Sequence, residues 1–180
     1  MVVLKSQKSF TLVELLVTVA IFSLIAGAAS GVFVQALKAQ RKSLATQQLL
    51  DQTSYLAEYM SRAIRMAKKD SLGACIDAKL NYKIVDNGIE FLNYQGECQK
   101  FYLDYNPPAT PQLKEEKGGV VSELTSASLK VSNFNINLLG ETQTDNLQPR
   151  VTFFLNIEGK ERSKINLQTT ISQRNPDIEI

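Results

Sequence analysis

The pattern of apolar and charged positions sets the first part of the chain apart from the rest. From Phe10 to Val34 the only ionisable side chain is Glu14, and residues 15–34 form a run of 20 uncharged residues. In an α-helix this run rises about 30 Å, which is the thickness of a bilayer's hydrocarbon core. The pattern therefore predicts a membrane-spanning helix over residues 10–34.

Helical character is predicted to continue over residues 35–69. This stretch contains no Pro and is rich in residues that favour helices. Its apolar positions recur at helical spacing: Leu49, Leu56, Met60, Ala63 and Ala67, widened by Leu50, Tyr59 and Ile64. Lys68 and Lys69 suit the C-terminal end of a helix, and Gly73 follows as a breaker. We interpret the stripe as packing on the protein's own sheet in preference to a partner-binding face.

Beyond Gly73 the apolar period changes from helical to two. Asp86-Asn87-Gly88 predicts a turn between strands, and Val151 to Ile157 alternate along a later strand. Between Val131 and Phe134 the alternation slips by one residue, which indicates a bulge or a break. Residues 70–180 are therefore predicted to form a β-rich globular head with a frayed tail from Gln173. The predicted fold class is α+β, with a long N-terminal helix packed on a mostly antiparallel sheet.

Composition and charge narrow the possible functions. The chain has no His, which excludes Ser-His and Cys-His catalysis and His-ligated metal sites. Residues 70–180 carry 11 basic and 15 acidic side chains, a balance that speaks against nucleic-acid binding. The chain also lacks a phosphate-binding glycine motif, a nucleophile elbow and a metal-ligand cluster. We interpret Glu115 and Glu116 as part of a solvated loop, and predict no enzyme activity, catalytic residue, metal or cofactor.

Two cysteines, Cys75 and Cys98, follow the predicted span. They enclose 22 residues, which is neither the spacing of a redox motif nor that of a metal quartet. If the head lies outside the cytoplasm, a disulfide between them is favoured, and the alternative is a pair of buried free thiols.

Lys8 to Val17, with the sequence KSFTLVELLV, closely resembles the class III signal of type IV pilins and type II secretion pseudopilins. The resemblance implies that prepilin peptidase removes residues 1–9 as a leader by cutting between Ser9 and Phe10. It also implies that the new amino group of Phe10 is methylated and that Glu14 serves assembly with neighbouring subunits. Ser9 stands where the family usually has Gly.

Two other interpretations of the N-terminus remain open. A cleavable secretory signal could be cut near Ala26-Gly27-Ala28, although its apolar stretch would be unusually long. A plain signal anchor would explain the span and leave Glu14 unexplained, since a charge in hydrocarbon is costly. After cleavage at Ser9, the amine of Phe10 and the carboxylate of Glu14 would neutralise each other.

The resemblance therefore implies a structural minor pilin or pseudopilin, which in general shape resembles the larger minor pseudopilins of the J-like type. Its expected location is the bacterial inner membrane, in a single pass with the N-terminus in the cytoplasm and the head outside, and later an extracytoplasmic filament. The implied partners are other pilins or pseudopilins, prepilin peptidase, an assembly platform protein and membrane lipid. The alternative is a filament-tip module that binds DNA or a secreted substrate.

Overall fold

A computed structural model describes residues 10–140 and 147–174 of the 180-residue chain. The elements in chain order are α1 Leu12–Arg65, β1 Lys83–Val85, β2 Gly88–Leu92, β3 Cys98–Asp104, β4 Gln112–Lys117, β5 Val120–Glu123, β6 Lys130–Leu139, β7 Arg150–Glu158, a 3-10 turn Lys160–Arg162 and β8 Lys164–Ser172. One long N-terminal helix combined with antiparallel sheets confirms the predicted α+β class. The chain divides into two compact units, Met1–Arg41 and Lys42–Ile180.

Within the second unit, α1 buries a narrow stripe of side chains. These are Ala45, Leu49, Thr53, Leu56, Met60 and Ile64, at steps of three and four residues. Leu50, which the sequence placed in this stripe, is 48% exposed, whereas Leu49 is 1% exposed. The helix therefore packs on the head through one face, and the neighbouring leucine points away from it.

The helix ends at Arg65, four residues before the predicted end at Lys69. The N–H of Ala67 donates to the oxygen of Ile64, and the N–H of Lys68 then donates to the carbonyl oxygen of Leu92 in β2 at 2.9 Å. The chain leaves the helix because a strand offers its backbone a partner. Lys68 therefore lies beside the sheet instead of capping the helix.

Two antiparallel sheets make up the rest of the head. Five strands follow one another in the order β1-β2-β3-β4-β5, and three more form the order β6-β7-β8. The predicted turn joins β1 to β2, with Asn87 in the left-handed region at φ 60°. Gly88 is required there because a Cβ would collide with the carbonyl oxygen of Phe101 on the neighbouring strand.

A bulge interrupts the pairing of β6 with β7, as the sequence predicted. The register shifts between Val131 and Asn133, so that Ser132 is the extra residue. Val131 and Phe134 are both buried on the same side as a result. Val131 and Phe134 are three positions apart, and without the bulge they would point to opposite sides of the strand.

One hydrophobic core joins the buried stripe of α1 to both sheets. Met60 and Ile64 on the helix, Phe91 and Phe101 on the first sheet and Phe153 on the second are fully buried. The rings of Phe91 and Phe101 lie 5.6 Å apart in a tilted arrangement. Since helix and sheets share a core, the second half of α1 is part of the head.

The prediction of a frayed tail from Gln173 onward is wrong for Gln173 and Arg174. Gln173 is buried, and its Nε2 donates to the oxygen of Ala67 at 2.9 Å and to Oδ1 of Asn81 at 3.2 Å. The N–H of Arg174 donates to the oxygen of Arg65. These bonds hold the segment after β8 against the end of the helix, and residues 175–180 lie outside the described residues.

Candidate functional site

The first candidate site is the N-terminal part of α1. Within the described ranges, α1 is the one helix long and apolar enough to cross a membrane, with a mean hydropathy of 2.3 over its most apolar window. No side chain of that window is buried inside the protein. A protein that leaves this much apolar surface uncovered needs a lipid or a protein neighbour to cover it.

The polar groups of this apolar stretch are satisfied within the helix. Its three hydroxyl side chains each donate to a backbone carbonyl of the preceding turn: Thr18 to Leu15, Ser23 to Val19 and Ser30 to Ala26, at 2.8–2.9 Å. In hydrocarbon an unpaired hydroxyl is costly, so these bonds suit a helix surrounded by apolar neighbours. The carboxylate of Glu14, immediately before these 20 uncharged residues, is the one charge between Phe10 and Val34.

Glu14 lies in the first turn of α1, where a negative charge interacts favourably with the helix dipole. Its N–H donates to Oγ1 of Thr11 at 3.3 Å, so Thr11 helps to begin the helix. Phe10 precedes the helix and is 76% exposed. Ser9, on the other side of the predicted cut, lies outside the described residues, as does the rest of the leader, residues 1–9.

The cysteines lie in the head, at the other predicted site. Cys75 and Cys98 are joined by a disulfide in the structure, with their Cα atoms 5.3 Å apart. Cys98 begins β3, and Cys75 lies in the loop that follows the helix. The bond therefore ties that loop to the sheet.

The same loop is organised around the carboxylate of Asp70, a residue that the sequence analysis did not single out. Oδ1 accepts from the N–H groups of Gly73 and Ala74, and Oδ2 accepts from those of Cys75 and Ile76, at 2.6–3.1 Å. Burial acts to raise the pKa of Asp70, but the four backbone donors outweigh it and hold the pKa below its ordinary value of 3.8. The ionised carboxylate thus fixes the backbone around Cys75.

A second buried carboxylate corrects a prediction. Glu115 is not in a solvated loop: it lies in the middle of β4 and is 6% exposed. Its two oxygens accept from Oη of Tyr59 at 2.8 and 3.0 Å, from Nε2 of Gln99, and from Oγ of Ser122 at 3.4 Å. A sequence signal could have indicated this burial: Glu115 lies two positions after Leu113, so in a strand both point to the same side, and Leu113 is also buried.

The carboxylate of Glu115 affects the pKa of Tyr59. Burial, the hydrogen bond to Glu115 and the negative charge of that carboxylate together raise the pKa of Tyr59 to about 12. The pair therefore connects the helix to the sheet as a neutral phenol donating to a carboxylate.

Beside this pair lies an open cleft of about 490 Å³ between the helix and the first sheet. It is lined by Tyr55, Glu58, Tyr59, Arg62, Ala63, Met66, Tyr94, Gln99 and Lys117. Its charged side chains are paired: Arg62 with Glu58 at 2.7 Å, and Lys117 with Glu97 at 3.8 Å. Among the residues that the structure describes, no group of three or more acidic or cysteine side chains could hold a metal ion.

Comparison with protein families supports the interpretation of the N-terminus. Residues 4–30 match the prokaryotic N-terminal methylation motif, the class III signal of type IV pilins and pseudopilins. Searches of curated proteins and of solved structures found no match. The motif overlaps the start of the apolar helix α1, and together with the α+β fold it is consistent with a type IV pilin or pseudopilin and fits an anchor in the inner membrane. It implies processing by prepilin peptidase and assembly with other pilins.

Proposed function

We propose that this chain is a structural subunit of a type IV pilus-like or type II secretion pseudopilus filament, without catalytic activity of its own. The observation that carries the proposal is the methylation motif at residues 4–30, within which begins a helix that is apolar and uncovered. A helix of this kind can be held first by the bilayer and later by the same helices of neighbouring subunits.

Three residues of the motif have distinct roles in this function. Prepilin peptidase cuts between Ser9 and Phe10, the amine of Phe10 is methylated, and Glu14 provides the counter-charge for an amine in the filament core. A buried charge without a partner is strongly disfavoured, so each added subunit is stabilised only in the register that pairs it. The assembly platform protein and membrane lipid are the further partners.

Within this class we place the chain among the minor, J-like subunits, with its N-terminus in the cytoplasm and its head outside. A head with a disulfide suits an oxidising compartment. The disulfide ties the loop at Cys75 to β3, which also suits a head that must persist outside the cell.

Intact mass measurement of protein extracted from membranes tests the processing step. We expect a chain that begins at Phe10 and carries one added methyl group. Two variants distinguish the possible cleavage sites. Ser9→Gly should be processed at least as fast as the natural chain, and Ala28→Leu should have no effect.

Three results would contradict this assignment. A chain that begins near Ala29, with processing blocked in Ala28→Leu, would indicate an ordinary secretory signal. An intact Met1 would indicate a plain anchor. A subunit as abundant as the principal pilin in sheared filaments would contradict the minor role.

A further inference from the structure

The outer face of the three-stranded sheet carries an unusual set of side chains. Their cross-strand pairs form three rows, which we name the amide face: Asn133, Asn156 and Asn166; Asn135, Phe154 and Gln168; Asn137, Thr152 and Thr170. Eight of these nine side chains are amides or hydroxyls, and the ninth is an aromatic ring at the centre.

The fold itself turns these side chains outward. In β7 they alternate with Val151, Phe153 and Leu155, which are all fully buried in the core. Because side chains opposite one another across a ladder share a face, the partners in β6 and β8 must point the same way. Asn135, Gln168 and Thr170 are exposed accordingly.

The amide face carries no charge. Ionisable side chains occur only at its two ends: Lys130 and the Glu158–Lys164 pair, with N and O 3.5 Å apart, at one end, and Arg150 at the other. Such a surface offers nothing to phosphates or to a charged peptide. It is also too polar to enter a bilayer.

Hydrogen-bonding groups on the face are largely unused. Within residues 130–139 and 150–172, one side-chain hydrogen bond joins two members of the amide face. It links Oγ1 of Thr152 to Oγ1 of Thr170, at 2.9 Å. The amides of Asn135 and Gln168 make no side-chain hydrogen bond to other described residues. Each amide offers two donor hydrogens and an acceptor oxygen.

Phe154 lies between these two amides in the central row and is 37% exposed. A lone aromatic ring set among eight polar groups lacks the contiguous apolar patch that a protein-protein interface has at its centre. A partner suited to it has one apolar face for the ring and many uncharged hydroxyls for the amides.

We propose that the amide face binds a neutral polysaccharide. The C–H face of a sugar ring would lie against Phe154, while the amides of Asn135 and Gln168 exchange hydrogen bonds with its hydroxyls. The side chains project from a paired sheet whose backbone is already ordered, so binding does not require the face to fold. This inference goes beyond the proposed filament role, which stands whether or not a glycan binds.

Retention of the detergent-solubilised full chain on insoluble polymers tests the proposal. The probes are cellulose and chitin, with the anionic polymer polygalacturonate for comparison. We expect salt-insensitive retention on at least one neutral polymer, and a bound fraction that falls about tenfold in Phe154→Ala, since such a fall corresponds to loss of one aromatic contact. Phe154→Tyr should restore binding because it keeps the ring.

Three further variants separate recognition from folding. Gln168→Ala changes an exposed side chain and should weaken retention, whereas Gln168→Glu should weaken it more by adding a charge that must be desolvated. Tyr55→Ala, which removes an exposed ring on α1, should leave retention unchanged. Absence of retention on both neutral polymers, or equal binding by Phe154→Ala, would overturn the proposal. The proposal would also be overturned if Gln168→Glu reduced co-purification with other pilins but left retention on the polymers unchanged. That result would indicate that the amide face is a contact between subunits.

Discussion

At the scale of single residues, the head depends on two buried carboxylates held in different ways. Asp70 accepts four hydrogen bonds from backbone N–H groups. Glu115 accepts hydrogen bonds from side chains on α1, β3 and β5. The first fixes a loop and the second joins the helix to the sheet. Each has a consequence that titration or mutation can reveal.

Tyr59 should titrate above the ordinary value of a tyrosine. The chain has six Tyr and no Trp, so tyrosinate absorbance can be followed without interference. We expect the absorbance change that Tyr59→Phe removes to have a pKa of about 12, because burial and Glu115 both favour the neutral phenol. The stability due to this pair is present below the ordinary value of 10.0 and is lost as the pH rises towards 12.

The matched variants are Glu115→Gln and Glu116→Gln. Removing the charge of Glu115 should lower the pKa of Tyr59, although burial keeps it above the ordinary value. Glu116 lies on the opposite side of β4, so its variant should leave the titration unchanged. An overall titration that is unaltered in Glu115→Gln would show that the carboxylate is not the cause.

Asp70→Asn should destabilise the head at neutral pH and reduce its sensitivity to acid. Since the pKa of Asp70 lies below 3.8 in the folded state, its contribution is present above that ordinary value and is lost as the pH falls through the folded-state pKa. The amide has one acceptor oxygen in place of two, and unpaired N–H groups cost about 1–3 kcal/mol.

Urea unfolding of the detergent-solubilised chain, at neutral pH and at about pH 3, measures this effect. The difference in unfolding free energy between variant and natural chain should shrink in acid. Asp86→Asn, in a turn without such a set of donors, is the control. An equal difference at both pH values would mean that ionisation of Asp70 does not stabilise the loop.

Glu14→Ala separates assembly from membrane insertion. The variant removes a costly charge from the apolar stretch, so insertion should be unchanged or improved. Assembly should fail, because the amine of Phe10 would enter an apolar surrounding without a counter-charge. Co-purification with other pilins should fall about tenfold or more, as expected from loss of one buried ionic partner.

A membrane-fraction blot and a second variant control this experiment. Glu58→Ala removes an exposed carboxylate from the same helix within the head and should assemble normally. Co-purification of Glu14→Ala at the natural level would reject the role of Glu14, and loss of the protein from the membrane would reject the account of insertion.

At the scale of elements, α1 is one helix with two different surfaces. Residues of its first part expose apolar side chains, and residues of its second part bury a narrow stripe. Helical periodicity alone therefore describes only the second part, since a helix that is apolar all round has no preferred face.

Two adjacent leucines test where the stripe lies. Leu49→Ala should lower the unfolding free energy by about 2–5 kcal/mol, because Leu49 is fully packed in the core. Leu50→Ala should change it by about 0.5 kcal/mol or less, because its side chain is half exposed. Urea unfolding of the two variants measures both, and equal costs would contradict the observed face of the helix.

At the scale of the whole molecule, the chain has one part suited to apolar surroundings and another suited to water. If the head lies outside the cytoplasm, Cys75 and Cys98 should be oxidised in the cell. Protein unfolded in an alkylating agent without reduction should then gain no alkyl group, and two after reduction. Closure of the loop between them should stabilise the head by about 3 kcal/mol in the chain-entropy estimate.

A cysteine-free variant with Leu72→Cys supports this experiment, because Leu72 is 91% exposed and should react readily. An impermeant thiol reagent should label it from outside the inner membrane. Alkylation of both natural thiols without reduction would refute the bond, and labelling from the cytoplasm alone would refute the topology.

The sequence by itself determined what depends on local order along the chain. The apolar run after Phe10, the methylation motif, the turn at Asn87-Gly88 and the bulge at Ser132 all follow from neighbouring residues. Their physical causes act over a few residues: helix rise, backbone sterics and the two-residue period of a strand. The α+β class followed from the change of period after the helix.

Only the tertiary structure decided matters that depend on residues distant in sequence. Glu115 is buried because Tyr59, 56 positions earlier, supplies a donor. The helix ends at Arg65 because Leu92 offers a carbonyl oxygen to Lys68. The amide face exists because three strands align in one register. Burial and hydrogen bonding across such separations depend on how elements pack, which a local pattern does not contain.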